Sequence, residues 1–425
     1  MNAILKTIAV DLTVVLPGGH NGGAKIFVVE LLRRLAGSHP ECRFVLLTRS
    51  SAHDELASLD AANVSRLLVV TDVHGKHSKR RLLDIVLGAL QRLPRRVRSH
   101  LLRWAHAFNS VIKRRSAGGA RLRQLQADLL FCPFTAPTYF DPAVPTVCTI
   151  YDLQYKTYPS FFSPEDVASR DHAFTQACRH AAALSAISEY AKASALRHGG
   201  IGSDAIQTIH LRMASRMPEG QANGQMVLDR LSLTAQGYLI YPANFWQHKN
   251  HEMLLTAFGM ACGSGLLATD IKLVCTGAPS ERQAYLREAA NLMGLGGRVL
   301  FPGFLSNDEL GTLLSHAGGM IFPSLYEGFG LPVIEAMAMG VPVACSDLTS
   351  LPEVAGDAAI LFDPRVPEQI AQAMVTLLAD SDRRGQLITA GLGRAAEFSD
   401  TDRMAREYWD LFLDAMRKAA DENRV

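Results

Sequence analysis

The chain has 425 residues, 48% of them hydrophobic, and a net charge of +2. That length allows two domains, each with its own core, and no run of about 18 apolar residues offers a membrane-spanning helix. The seven cysteines, Cys42, Cys132, Cys148, Cys178, Cys262, Cys275 and Cys345, form no C-x-x-C pair. They read as buried thiols of a reducing compartment, which excludes a zinc ribbon or a disulfide frame.

In chain order, Ile4–Val15 reads as a first strand. It lacks the charged start and cleavage site of a signal peptide. A glycine-rich loop, Gly18 to Gly23, leads to a helix over Ala24–Leu35. The loop is not a G-x-G-x-x-G fingerprint. Strands follow at Arg43–Thr48 and Arg66–Thr71. Residues 76–123 then hold fourteen Lys or Arg against the single acid Asp84. That stretch carries +13 and leaves −11 over the rest, a segregation that points to an anionic partner. Strands resume at Leu129–Pro133, Thr146–Asp152, Leu184–Ser188 and Ile206–His210. Leu211 to Met226 reads as a polar interdomain linker. A second alternation has strands at Tyr238–Pro242, Lys272–Thr276, Val299–Pro302, Met320–Pro323, Pro342–Cys345 and Ala359–Phe362, and charged helical sequence begins at Thr401. Strands alternating with helices argue mainly parallel sheets covered by helices.

The segment Glu327 to Glu335, EGFGLPVIE, is the most informative. Two carboxylates eight positions apart flank a glycine turn between a strand and a helix. Pro332 suits the first helical position and Gly340 the far end. Such a helix start offers unpaired N–H groups and a positive dipole end to an anion. Gly328 and Gly330 admit a close backbone approach. A diphosphate held there, with carboxylates taking hydroxyls on either side, describes a nucleotide sugar.

This segment resembles the E-x7-E signature of retaining glycosyltransferases of the GT-B fold, the large family-4 group. The likeness runs through VLFPGFLSNDELGTLLSHAGGMIFPSLYEGFG and LPVIEAMAMGVPVACSDLTSLPEVAGDAAILFDP, and earlier through NFWQHKNHEMLLTAF, covering nearly all of residues 235–395. It implies an α/β protein of two doubly wound Rossmann-like domains facing a central cleft. The N-terminal, acceptor-binding domain would span 1–212 and the nucleotide-sugar domain 213–398. Residues 399–425 would be a helix crossing back to the first domain. In the donor-phosphate loop Lys249 matches the family's lysine, while the usual arginine falls on Asn244 or Ala243. Asn244 is therefore a neutral donor, with His248 beside Lys249. Gly22 and Gly23 match the glycine-rich first loop. Gly303 and Phe304 border the nucleotide base through the main chain. Glu327 takes the donor sugar, Gly328, Phe329, Gly330 and Leu331 offer backbone to the diphosphate, and Glu335 takes the ribose. The catalytic set is Glu327, Lys249 and Asp152, the last orienting the acceptor or holding its loop. Tyr151 stands where relatives carry histidine, so no general base is assigned. Ser188 reads as a helix N-cap.

No D-x-D pair is placed for a metal, so no metal and no cofactor is expected besides the nucleotide sugar itself. YDLQYKTYPSFFS and NFWQHKNHEML look most like bacterial mannosyltransferases of surface-polysaccharide synthesis. That likeness implies GDP-mannose, or GDP-rhamnose, and a polyprenyl-linked or oligosaccharide acceptor. The expected location is the cytoplasmic face of the plasma membrane. In the basic segment, Val97, Leu101, Trp104, Ala105, Phe108, Val111 and Ile112 keep one helical face. That face packs on the N-terminal sheet or docks on an anionic membrane surface with Trp104 or Leu82–Leu83 near the interface, and both hold if only the basic rim meets lipid. Other readings are an epimerase or phosphorylase on the same fold, an inactive partner subunit, and a nucleic-acid-binding protein, the last without a motif to support it.

Overall fold

The structure, a computed structural model, describes residues 5–18, 21–71, 119–135, 137–216 and 224–422. Most of the basic stretch expected over 76–123 thus lies outside the described residues. Two compact units are formed, Met1–His210 with Thr401–Val425, and Leu211–Asp400.

The first unit is built on seven strands: β1 (Thr7–Asp11), β2 (Arg43–Arg49), β3 (Val64–Val70), β4 (Leu129–Cys132), β5 (Thr146–Ile150), β6 (Ala183–Ala186) and β7 (Ile206–Thr208). All pairings are parallel, in the order β3-β2-β1-β4-β5-β6-β7. β1, β4, β5 and β6 are buried along their whole length. Strands covered on both faces read as continuous apolar runs, as these do. The first strand is shorter than the expected Ile4–Val15. The chain turns away after Asp11, whose Oδ1 accepts from Thr13 N and Thr13 Oγ1, while Val15 N donates to Leu12 O.

The helix Thr401–Glu422 is part of this unit. It buries Met404, Tyr408, Leu411, Phe412 and Ala415. The Phe412 ring lies 5.0 Å from that of Phe131. The Tyr408 hydroxyl is 3.1 Å from Ser185 Oγ and 3.3 Å from Thr149 Oγ1. Burial pushes this phenol up to about 12, against the pull of those two hydroxyls.

The second unit carries β8 (Tyr238–Pro242), β9 (Lys272–Thr276), β10 (Val299–Leu300), β11 (Gly319–Phe322), β12 (Val343–Ser346) and β13 (Ala359–Phe362). The strands are again parallel, ordered β10-β9-β8-β11-β12-β13. This is the doubly wound order, whose direction reverses between β8 and β11. Helix starts are marked by serines. Ser280 Oγ accepts from Gln283 N, and Ser306 forms a reciprocal box with Glu309.

The stretch Leu211–Met226, expected as a polar interdomain linker, begins at the boundary between the two units, and its described start is packed rather than solvated. Leu211, Arg212, Met213 and Ala214 are buried in the second unit. Arg212 Nη1 donates to Glu397 O at 2.6 Å and Ala214 N to Phe398 O at 3.0 Å. Of the cysteines, five are buried and Cys178 and Cys262, both on helices, are only half-buried. Among the described residues, no helix is long and apolar enough to cross a membrane.

Candidate functional site

In open parallel sheets, ligands gather outside the carboxyl ends of the strands where the winding reverses. In the second unit that point lies between the loops after β8 and β11. The first loop carries Asn244 and Lys249, the second Glu327 to Leu331. The sequence motifs and the topology therefore select the same place independently.

These two loops are stitched together by backbone and buried hydroxyls. Leu325 N donates to His248 O at 2.8 Å, and Tyr241 Oη donates to Lys249 O at 2.8 Å and lies 3.2 Å from Ser324 Oγ. Asn250 adopts φ +60 and sends its side-chain N–H groups to Pro323 O (3.1 Å) and Pro364 O (2.8 Å). Lys249 Nζ sits 2.6 Å from Glu327 Oε1 and 5.4 Å from the centre of the Phe322 ring. The two side chains are 12% and 13% exposed, which keeps their charges poorly hydrated yet reachable.

The Glu327 loop is pinned from the loop after β12. Glu327 N donates to Thr349 Oγ1 at 3.1 Å, and Ser350 Oγ lies 3.0 Å from both Glu327 O and Phe329 O. Gly330 has φ +106, and a Cβ there would lie 2.6 Å from Leu351 Cδ2. Glycine is thus required at the turn into the helix Leu331–Ala338. That helix has no side-chain cap. Of its first three residues, Val333 donates its N–H to Gly330 O at 2.9 Å and Pro332 has none, which leaves Leu331 N as the one that a helix start exposes. The structure puts Pro332 at the second helical position, one later than the sequence suggests, because the helix begins at Leu331. Glu335 accordingly lies in the second turn.

Glu335 does not share the exposure of Glu327. It is 3% exposed, and Arg216 donates to its Oε1 twice, from Nε at 2.9 Å and Nη2 at 2.6 Å. Burial raises the affinity of this carboxyl for a proton, and the Arg216 charge and hydrogen bonds oppose that. Arg216 went unnoticed in the sequence because it lies 119 residues away in apparent linker.

A second group of loops lies after β8, β9 and β10. Asn244 Oδ1 accepts from Ala278 N at 3.0 Å, so its amide nitrogen is the donor it can offer. Gly277 N donates to Gly303 O at 3.3 Å. A Cβ on Gly277 would lie 2.7 Å from Ala243 O, so this residue lets the loops close on each other. Phe304, beside Gly303, is 76% exposed. His251 starts the next helix between the rings of Tyr241 (4.8 Å) and Phe245 (4.9 Å), and both of its ring nitrogens lack partners. Burial, aided by the Lys249, Arg282 and His248 charges, pulls it down to about 3.

Gly22, Gly23 and Asp152 lie in the first unit. Gly22 opens the helix Gly22–Ser38 with φ +51. The loop before it is held by Lys25, which pairs with Glu55 (2.5 Å) and donates to Gly18 O, while Gly18 N donates to Glu55. Asp152 Oδ1 accepts from Gln154 N at 3.0 Å and so caps the turn after β5. The Tyr151 ring packs against Phe27 and Phe134, with its hydroxyl buried and without a protein partner. Ser188 Oγ accepts from Ala191 N, the N-cap role.

Residues 231–394 match the model described as "Glycosyl transferases group 1". Residues 231–394 thus form a glycosyl transferases group 1 domain within the second unit. Two curated relatives from Escherichia coli are similar to the chain. "O-antigen chain mannosyltransferase B" is 29% identical over 60% of this chain and 66% of its own length. "Serotype-specific mannosyltransferase WbdA" is 29% identical over 51% of this chain and 27% of its own. The match thus spans about two thirds of one relative and about a quarter of the other. Two solved structures share the fold. Anabaena Alr3699/HepE, in complex with UDP and glucose, has a TM-score of 0.68 at 15% identity over 95% of this chain and 98% of its own. WaaG, "a glycosyltransferase involved in lipopolysaccharide biosynthesis", has a TM-score of 0.64 at 13% identity over 95% and 99%. The group 1 domain contains every donor-site residue expected from the sequence except Gly22 and Gly23, and it lacks Asp152.

Proposed function

We propose that the protein is a retaining glycosyltransferase. It moves a hexose, mannose or a related deoxyhexose, from a GDP-sugar to a polyprenyl-linked or oligosaccharide acceptor in bacterial surface-polysaccharide synthesis. One observation carries this reading: the Lys249–Glu327 pair beside an uncapped helix start at the switch point of the second sheet. The names of the mannosyltransferase relatives support the choice of sugar.

In this reading, an arriving diphosphate takes Lys249 from Glu327, and Glu327 turns to the sugar hydroxyls. As the glycosidic C–O bond breaks, charge grows on the departing phosphate oxygens. Lys249, the Asn244 amide, the N–H groups from Gly328 to Leu331 and the helix dipole meet that charge. The acceptor hydroxyl attacks C1 from the face the diphosphate leaves and passes its proton to a departing phosphate oxygen. The configuration is kept, and no metal takes part, so transfer should persist in a chelator. The site of action is the cytoplasmic membrane face. Lys249→Ala and Glu327→Ala should each lower kcat by about 10²-fold or more, the scale of a lost transition-state donor, while GDP-mannose still raises the melting temperature of the wild type. Unchanged transfer in both variants would remove the site. Turnover that depends on inorganic phosphate would favour a phosphorylase instead.

A further inference from the structure

An arginine commonly grips a carboxylate with two parallel hydrogen bonds, one to each oxygen. Arg216 does otherwise. Both of its donating nitrogens converge on Oε1 of Glu335. Among the described residues none donates to Oε2, and that atom is not among the sealed polar atoms that lack a partner. One carboxylate oxygen is thus saturated and the other left as an acceptor.

The arginine is itself held in place. Its turn, Ala214–Arg216, hangs from the end of the helix Ser381–Glu397 through Ala214 N to Phe398 O (3.0 Å) and through Ser215 Oγ to Ser399 Oγ (3.1 Å). The Phe398 ring in turn packs edge-on against Phe329 of the glycine loop, with centroids 5.6 Å apart. Arg216, Glu335 and the loop that would meet the diphosphate therefore belong to one packed cluster.

We infer that Arg216 is a positioning residue for the donor ribose: it clamps Glu335 by Oε1 and presents Oε2 to the vicinal hydroxyls of the sugar. The inference rests on the proposed donor site. A ribose diol needs an acceptor, and a carboxylate at this depth would otherwise bind a proton. The arginine cannot lose its own charge, so it opposes the burial that favours a proton on Glu335.

Calorimetric titration of the full chain with GDP and UDP, each against its 2′-deoxy counterpart, tests this. Wild type should prefer the ribose form by about tenfold or more, the scale of a hydrogen bond to a charged group. Arg216→Met should lose most of that preference and raise the donor KM with kcat little changed. Arg216→Lys keeps the charge and should restore part of the preference and of the donor KM. Glu335→Gln guards against loss of the fold, since it removes the buried charge, and it should also lose the preference. An Arg216→Met protein that keeps the full ribose preference, or a wild type that binds both forms equally, would overturn the inference alone. A wild type that binds no nucleoside diphosphate would overturn the donor site and this inference with it.

Discussion

Lys249 and Glu327 meet at 2.6 Å although 78 residues separate them, and each is mostly withdrawn from water. Two opposite charges at that depth suit each other but neither is fully hydrated, so a phosphate and a set of hydroxyls can replace one partner with another. A few positions away, His251 shows the opposite condition. Its ring is buried with no partner and is held neutral down to about pH 3. The folded pKa lies below the usual value of about 6.5, so the unfolded chain takes up the proton first as pH falls. Stability is therefore lost on acidification between about pH 6.5 and 3, at up to about 1.4 kcal/mol per pH unit. His251→Leu should unfold less steeply with acid. Denaturant melts of the second unit at pH 7, 5.5 and 4.5 would check this, and parallel losses in both proteins would refute it.

Among the elements, the helix Thr401–Glu422 shows how a distant segment completes a core. Tyr408 and Phe412 fill the first unit beside Phe131, and the Tyr408 hydroxyl joins Thr149 and Ser185. Tyr408→Phe removes those bonds but leaves Ser185 Oγ donating to Thr149 Oγ1 at 2.9 Å. The expected cost is about 1 kcal/mol. Removal of residues 401–425 uncovers several large apolar side chains, each worth about 1.5–3 kcal/mol. Limited proteolysis should find the first unit of the truncated chain open while the second survives. Equal resistance of both chains would contradict this assignment.

For the whole molecule, β8, β9 and β13 have the bounds the residues suggest, because each is a short apolar run closed by proline, threonine or a turn. The glycine turn and helix after β11 are legible for the same reason, since Gly330 and Pro332 restrict the backbone locally. What the residues do not disclose is long-range. Arg216 looks like solvated linker until its partner Glu335 is known. Gly277 looks like a plain turn until Ala243 O is seen against it. The doubled switch-point topology likewise emerges only when the strands are ordered. The basic stretch adds a prediction at this scale. Its charge of +13 should draw the full chain to vesicles rich in anionic lipid at low salt, with release as salt screens the attraction. Flotation that shows no binding at low salt would dismiss a role on lipid.

The most direct test is a crystal structure of the full chain with GDP-mannose or GDP. The account expects the diphosphate within hydrogen-bonding distance of Lys249 Nζ and the main-chain N–H groups at the start of the helix Leu331–Ala338, and the ribose on Glu335. A nucleotide found away from both loops of the second switch point would contradict it.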